Sequence, residues 1–254
     1  MKYSAVVLAG SRPGRDPLAA QFGTAMKALI PVAGEPMVRR PVRALLASGS
    51  IGRVLVMTQD PDGLAGALAA DPRLAICRSS ETIAATLLAM CDDPAVAWPL
   101  LVTTADHALL DTATVDEFCD AASGLDVAVG VVERRLLLRR LPDARRTWLR
   151  FRGGAYTGAN LFALRSPQVR SAIALWQSVE QDRKKGRRIV ALLGPAVLLG
   201  SALRLLSIDD VLARLGRKLG LRAGAVRLGN PLAGVDVDKP EDHALAESIL
   251  AGTR

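Results

Sequence analysis

The chain has 254 residues, half of them hydrophobic, and a formal charge of +8. That length fits one large α/β domain or two small ones, and the apolar content excludes intrinsic disorder. The charge is uneven: residues 134–222 carry 20 basic and 5 acidic side chains, against 13 basic and 20 acidic elsewhere.

A basic second half on an acidic remainder argues for an anionic partner: phosphate groups, a membrane surface or nucleic acid. Aromatic residues make up 4% of the chain and form no stacking platform, which weighs against nucleic acid. Cys77, Cys91 and Cys119 are an odd set without paired metal spacing. Reduced thiols in a cytoplasmic protein are expected, not a disulfide scaffold.

In chain order, the apolar start Ser4–Gly10 is too short for a signal peptide and lacks a small-residue cleavage site. It predicts a buried first strand over Tyr3–Ala9. Further strands are predicted at Arg53–Met57, Leu74–Cys77, Leu100–Thr104 and Asp126–Val132. Helices are predicted between them at Pro36–Ala47, Gly63–Ala69, Ser80–Met90 and Thr112–Ala121. Apolar strands alternating with helices predict a three-layer α/β/α sandwich around a mostly parallel sheet. The second half is less regular. A basic stretch, Arg134–Arg152, leads to Gly153-Gly154 and a strand at Ala159–Leu164, followed by helices at Pro167–Arg183 and Ile208–Leu215. Strands at Ala225–Leu228 and Val235–Val237 precede a closing helix from Pro240. The whole reads as one domain, 1–254, with 134–222 a basic acceptor-binding or insertion region.

Residues 189–203 are almost wholly apolar and flanked by basic side chains, but too short for a spanning helix. They read either as a buried or subunit-interface helix or as a segment resting on anionic lipid.

The chemistry concentrates at the first strand. Leu8-Ala9-Gly10 runs into Ser11, Arg12 and Arg15, then Lys27-Ala28-Leu29-Ile30-Pro31-Val32-Ala33-Gly34-Glu35-Pro36-Met37. A glycine turn after a strand lets backbone N–H groups approach phosphate. The spacing matches neither G-x-G-x-x-G nor a P-loop. Taken singly, Gly10 could be only a tight turn and Lys27 only a solvated charge. Together they resemble the signature of nucleotidyltransferases with a glycosyltransferase-A-like, Rossmann-like fold: the sugar-phosphate nucleotidylyltransferases and their MobA-like relatives. Thr103-Thr104-Ala105-Asp106-His107 falls where that superfamily places a metal-binding aspartate. Gly234-Val235-Asp236-Val237-Asp238-Lys239-Pro240-Glu241-Asp242 is similar to the D-V-D-T-P-E-D ending of inositol-phosphate cytidylyltransferase.

The resemblance implies transfer of a nucleotidyl group from a nucleoside triphosphate, CTP slightly preferred, to a phosphorylated acceptor. It implies Mg²⁺ on Asp106 and Asp236, with Asp238 the alternative second ligand. Leu8, Ala9, Gly10, Ser11, Arg12, Arg15 and Lys27 would line the triphosphate, Arg12 and Lys27 as catalytic cations. Ser79, Ser80 and Thr82 would touch base and ribose, although Ser80 could equally be a helix cap. Thr157, Gly158 and Asn160, with Arg150 and Arg152, are acceptor candidates; an ordinary turn and a solvated basic face are their plain readings. Glu35 is expected to face solvent, His107 to be structural or to support Asp106, and His243 to be solvated. Glu241 and Asp242 are read as the start of the last helix. Two other functions fit less well: a glycosyltransferase of similar fold, and a non-catalytic nucleotide-binding protein docked on a membrane.

Overall fold

The structure, a computed structural model, describes residues 2–10, 14, 16–180 and 205–253. Its sheet is built from β1 (Tyr3–Leu8), β4 (Ile51–Thr58), β5 (Leu74–Arg78), β6 (Leu100–Thr104), β7 (Val127–Glu133), β8 (Leu149–Phe151), β9 (Gly154–Leu164) and β10 (Ala223–Arg227). The short strands β2 (Pro31–Val32) and β3 (Glu35–Pro36) form a separate hairpin. The helices among the described residues are α1 (Pro17–Gln21), α2 (Arg39–Ala47), α3 (Pro61–Ala65), α4 (Ile83–Asp92), α5 (Thr112–Ala121), α6 (Arg134–Arg140), α7 (Arg170–Glu180), α8 (Ile208–Leu219) and α9 (Pro240–Leu250).

The strand order is β10-β7-β9-β6-β1-β4-β5, with β8 paired to β9. The β1–β4, β1–β6, β4–β5 and β7–β10 pairs are parallel; β9 runs antiparallel to β6, β7 and β8. Alternation along β1 explains the layers. Ala5 and Val7 face one core with Val42, Leu45, Val115 and Phe118, while Val6 faces the other with Ala84, Leu87, Met90 and Ile173. Each face of the pleat therefore buries a helix layer, and the mixed, mostly parallel α/β/α sandwich is as expected.

Several predicted elements need correction. Pro36 belongs to the β2–β3 hairpin, and α2 begins at Arg39. The predicted helix at Gly63–Ala69 lies at Pro61–Ala65, because Asp60 caps it from before Pro61 by accepting the Gly63 N–H at 3.1 Å. The cap of α4 is Thr82, which accepts the Ala85 N–H at 3.1 Å, and not Ser80. The basic stretch contains α6, and β9 starts at Gly154 instead of Ala159. The helix predicted from Pro167 begins as a 3-10 turn and becomes α7 at Arg170. Residues 235–237 form no strand; they follow a 3-10 turn, Pro231–Gly234. The apolar segment 189–203 lies outside the described residues, among which no helix is long and apolar enough to cross a membrane.

Gly234 marks where the last segment is wedged into the body. A Cβ there would stand 2.9 Å from Thr157 Cγ2, 3.0 Å from Leu137 Cδ1 and 3.2 Å from Val132 Cβ. Gly234→Ala is expected to cost about 1–3 kcal/mol through overpacking. A lower denaturation midpoint at unchanged slope would show it; an unchanged midpoint would mean the turn moves freely.

Candidate active site

The carboxyl ends of β1, β4 and β6 meet where the chain order reverses about β1, the crevice in which open α/β sheets bind ligands. Two backbone bonds align the loops leaving this edge. The Ala9 N–H donates to the Met57 carbonyl at 2.9 Å, and the Ala105 N–H donates to the Leu8 carbonyl at 3.0 Å. The glycine turn and the Asp106 loop therefore leave the sheet side by side. Leu8 ends β1, Ala9 is buried and Gly10 is exposed. A Cβ on Gly10 would lie 2.9 Å from both Nε2 and Oε1 of Gln59, so the amide end of that side chain packs directly over the turn. Gln59, just beyond β4, is a site neighbour that carried no motif in the sequence. Ser11, Arg12 and Arg15 lie outside the described residues.

Lys27 opens a 3-10 turn, Lys27–Leu29, and reaches across the crevice. Its Nζ stands 2.6 Å from Asp106 Oδ2 and 2.5 Å from Asp238 Oδ1. Burial pulls the Lys27 pKa down, but the two carboxylates outweigh it and hold the pKa above its ordinary value. Lys27 is thus an ion-pair partner, not a solvated charge. Asp106 also accepts the Thr104 hydroxyl at 2.5 Å, and its carbonyl accepts the Val237 N–H at 3.0 Å. That backbone bond brings Asp236 and Asp238 to the end of β6.

Asp236 sits in irregular chain, not in the strand predicted over Val235–Val237. Its Oδ1 accepts from Arg146 Nη1 at 2.7 Å, and its Oδ2 from Asn160 Nδ2 at 3.3 Å. Burial raises the Asp236 pKa, the Asp238 and Asp106 carboxylates raise it further, and the Arg146 guanidinium opposes them. Arg146 also meets Asp242 Oδ1 at 3.0 Å. Asp242 does open the last helix, accepting the Asp238 and Lys239 N–H groups at 3.2 and 3.1 Å, but it holds Arg146 as well.

Asn160 is reached through an irregular strand. Because β9 is antiparallel, its first half lies beside the carboxyl end of β7, at the same edge as Asp106. Val129 opposes Phe162 and Val131 opposes Gly158, so β9 carries extra residues between them. Asn160, within that irregularity, has a φ of +47°. Such left-handed backbone costs a non-glycine residue about 1–3 kcal/mol. The segment is therefore a distorted strand and not an ordinary turn. Thr157 is buried opposite Val132, and Gly158 is exposed.

The remaining candidates separate into two groups. On the loop between β5 and α4, the Ser79 N–H donates to the Thr58 carbonyl at 2.8 Å, while the buried Ser79 Oγ has no partner among the described residues. The Ser80 N–H donates to Thr86 Oγ1 at 3.1 Å. Arg150 is exposed on β8, and Arg152, also exposed, pairs with Asp210 at 3.3 Å. Glu35 does not point freely to solvent: Arg43 holds it in two bonds of 3.0 and 2.7 Å. His107 is buried, and desolvation pushes its pKa down to about 4; it packs as a neutral ring with Nδ1 3.3 Å from Thr103 Oγ1. His243 is also packed, not solvated, with Nε2 2.7 Å from the Pro31 carbonyl and its ring 4.5 Å from that of Phe22.

Comparisons with known proteins place this fold. A hypothetical transferase from Thermus thermophilus is similar in structure, with 32% identity and a TM-score of 0.79. The match covers 96% of this chain and 100% of that one. The fold is also that of 4-diphosphocytidyl-2C-methyl-D-erythritol synthase from Anaerococcus prevotii, at 10% identity and TM-score 0.62, covering 98% and 99% of the two chains. It is shared with a CMP:2-keto-3-deoxy-manno-octonic acid synthetase complexed with CTP, at 15% identity and TM-score 0.58, covering both chains fully. No curated protein matches the sequence. Residues 5–217 match the family model described as MobA-like NTP transferase domain. On that match the chain belongs to the MobA-like NTP transferase family and is a nucleotidyltransferase.

Proposed function

We propose that the protein moves a nucleoside monophosphate from a triphosphate, CTP slightly preferred, onto a phosphorylated acceptor, releasing pyrophosphate with Mg²⁺ as cofactor. The observation that carries this reading is one cluster assembled from three distant segments. Lys27, Asp106 and Asp238 share ion pairs beside the Gly10 turn, and Asp236 stands within electrostatic reach.

The donor set suits a hard cation. Among the described residues no three carboxylate, histidine or cysteine groups form a ready cage. Mg²⁺ typically takes one or two carboxylates and completes its shell with water and substrate phosphate. Asp106 and Asp236, with Asp238 adjacent, would hold it, and when bound it would neutralise polyphosphate charge.

The chain's own groups would do the rest by positioning and charge. The acceptor phosphate is ionised near neutral pH, its second pKa being about 6, so the attack needs no strong base. Buried, neutral His107 is in keeping with that. An acceptor oxygen forms the new bond to the α-phosphorus as the bond to the β-phosphate oxygen breaks. Lys27 would stabilise charge on the departing pyrophosphate, and the Gly10 turn would offer backbone N–H groups. Ser79, with its unpartnered buried hydroxyl, supports a nucleoside contact at the β5–α4 loop. The preference for CTP rests on the Asp236–Asp242 ending.

The test crosses ATP, GTP, CTP and UTP with sugar, polyol and amino-alcohol phosphates and reads pyrophosphate release. CTP with one phosphorylated acceptor is expected to exceed the acceptor-free background. No release in any combination, despite triphosphate binding, would overturn the proposal.

A further inference from the structure

We propose that Arg146 and Asn160 are positioning residues that grip the Asp236 carboxylate from its two sides and fix the direction in which its free lone pairs point. The inference rests on the reading of Asp236 as a metal-holding group. Asp236 lies outside every strand, so no ladder of backbone bonds orients it. Side chains hold the carboxylate instead, one on each oxygen: Arg146 Nη1 on Oδ1 at 2.7 Å and Asn160 Nδ2 on Oδ2 at 3.3 Å, beside a hydrogen bond from its own backbone. Both guanidinium Nη atoms also stand 3.4 Å from the Asp236 carbonyl, so the backbone is gripped with the side chain.

The same guanidinium ties down the neighbouring acid. Its Nη2 meets Asp242 at 3.0 Å, and Asp242 in turn accepts the Asp238 and Lys239 N–H groups. A planar fork can hold two carboxylates in fixed relation, which a lysine ammonium cannot reproduce. The Arg146 side chain is only 10% exposed and already engaged by two acids, so its geometry is that of an orienting group and not of an open phosphate site. Asn160 serves the same end at the cost of left-handed backbone in a distorted strand. Asparagine tolerates that conformation, and an irregular strand re-aims the side chain it carries.

The experiment titrates Mn²⁺ into the protein bound to a non-hydrolysable CTP analogue, read by electron paramagnetic resonance, beside thermal melts and steady-state kinetics. Asp236→Asn is expected to remove the bound-ion signal. Arg146→Lys, which keeps the charge but not the fork, is expected to weaken Mn²⁺ binding by about 10- to 100-fold, with kcat falling more than the triphosphate KM rises. Asn160→Gly separates orientation from stability: glycine relieves the backbone at φ +47°, so the melting temperature should hold or rise while Mn²⁺ binding weakens. Unchanged Mn²⁺ affinity in both variants, with Asp236→Asn still losing the ion, would overturn the positioning role alone. An Asp236→Asn variant that binds Mn²⁺ normally would instead overturn the metal-holding reading on which it rests.

Discussion

Asp106→Ala is expected to lower pyrophosphate-releasing turnover by at least about 10³-fold, with cooperative unfolding retained. The site keeps its chain path without this side chain, because the two bonds that align it are backbone bonds. The Ala105 N–H still reaches Leu8, and the Asp106 carbonyl still accepts the Val237 N–H. What is lost is one carboxylate beside the Gly10 turn and one of the two acids paired with Lys27 among the described residues. The ammonium keeps Asp238 at 2.5 Å, so no unpaired charge is left behind and a large loss of stability is not expected. Pyrophosphate release at saturating Mg²⁺ and circular dichroism of the purified variant are the two measurements. Near-normal turnover would remove Asp106 from the reaction.

The parts of this site that were legible in the sequence are those fixed by short-range pattern. An apolar run ending in glycine gives a buried strand followed by a turn, and parallel strands deliver their carboxyl ends to one edge. Alternation of strands and helices therefore puts the β1 turn and the Asp106 loop after strands, and the resemblance to the nucleotidyltransferases implies that the two share one site. Arg146 was not legible, because it is one of many arginines in a basic stretch and its value comes from a contact 90 residues away. Asp242 was read as a helix start, which is half of what it does. A single carboxylate can cap a helix and bind a guanidinium, and local pattern registers only the first. The alternation at Val235–Val237 resembles a strand, yet the segment pairs with no ladder. Val237 spends its N–H on the Asp106 carbonyl instead. Asn160 illustrates the limit most clearly: the pattern predicts a strand over Ala159–Leu164, but not the extra residues in β9 that aim the Asn160 amide at Asp236.

Lys27→Met is expected to move two quantities in opposite directions. As a triphosphate-stabilising cation, its removal should lower kcat/KM for the nucleotide by about 100- to 1000-fold. Yet the ammonium lies between Asp106 and Asp238, 2.6 and 2.5 Å from their oxygens. A divalent cation seeking those carboxylates must compete with it. Two unit charges about 4 Å apart at an effective dielectric near 20 interact by about 4 kcal/mol, and partial exposure of the lysine reduces that. A gain of roughly tenfold in Mn²⁺ affinity, about 1.4 kcal/mol, is a conservative expectation. Methionine preserves the apolar stem, so the change isolates the charge. Electron paramagnetic resonance on the nucleotide-free protein reads the metal, and initial rates of pyrophosphate release read the nucleotide. Tighter metal with weaker triphosphate would mean that the polyphosphate draws Lys27 off its carboxylates as it enters, freeing them at the moment of need. A free protein that binds Mn²⁺ no better than the parent would show that the lysine does not hold the cation's place, and unchanged kinetics would take it out of the site.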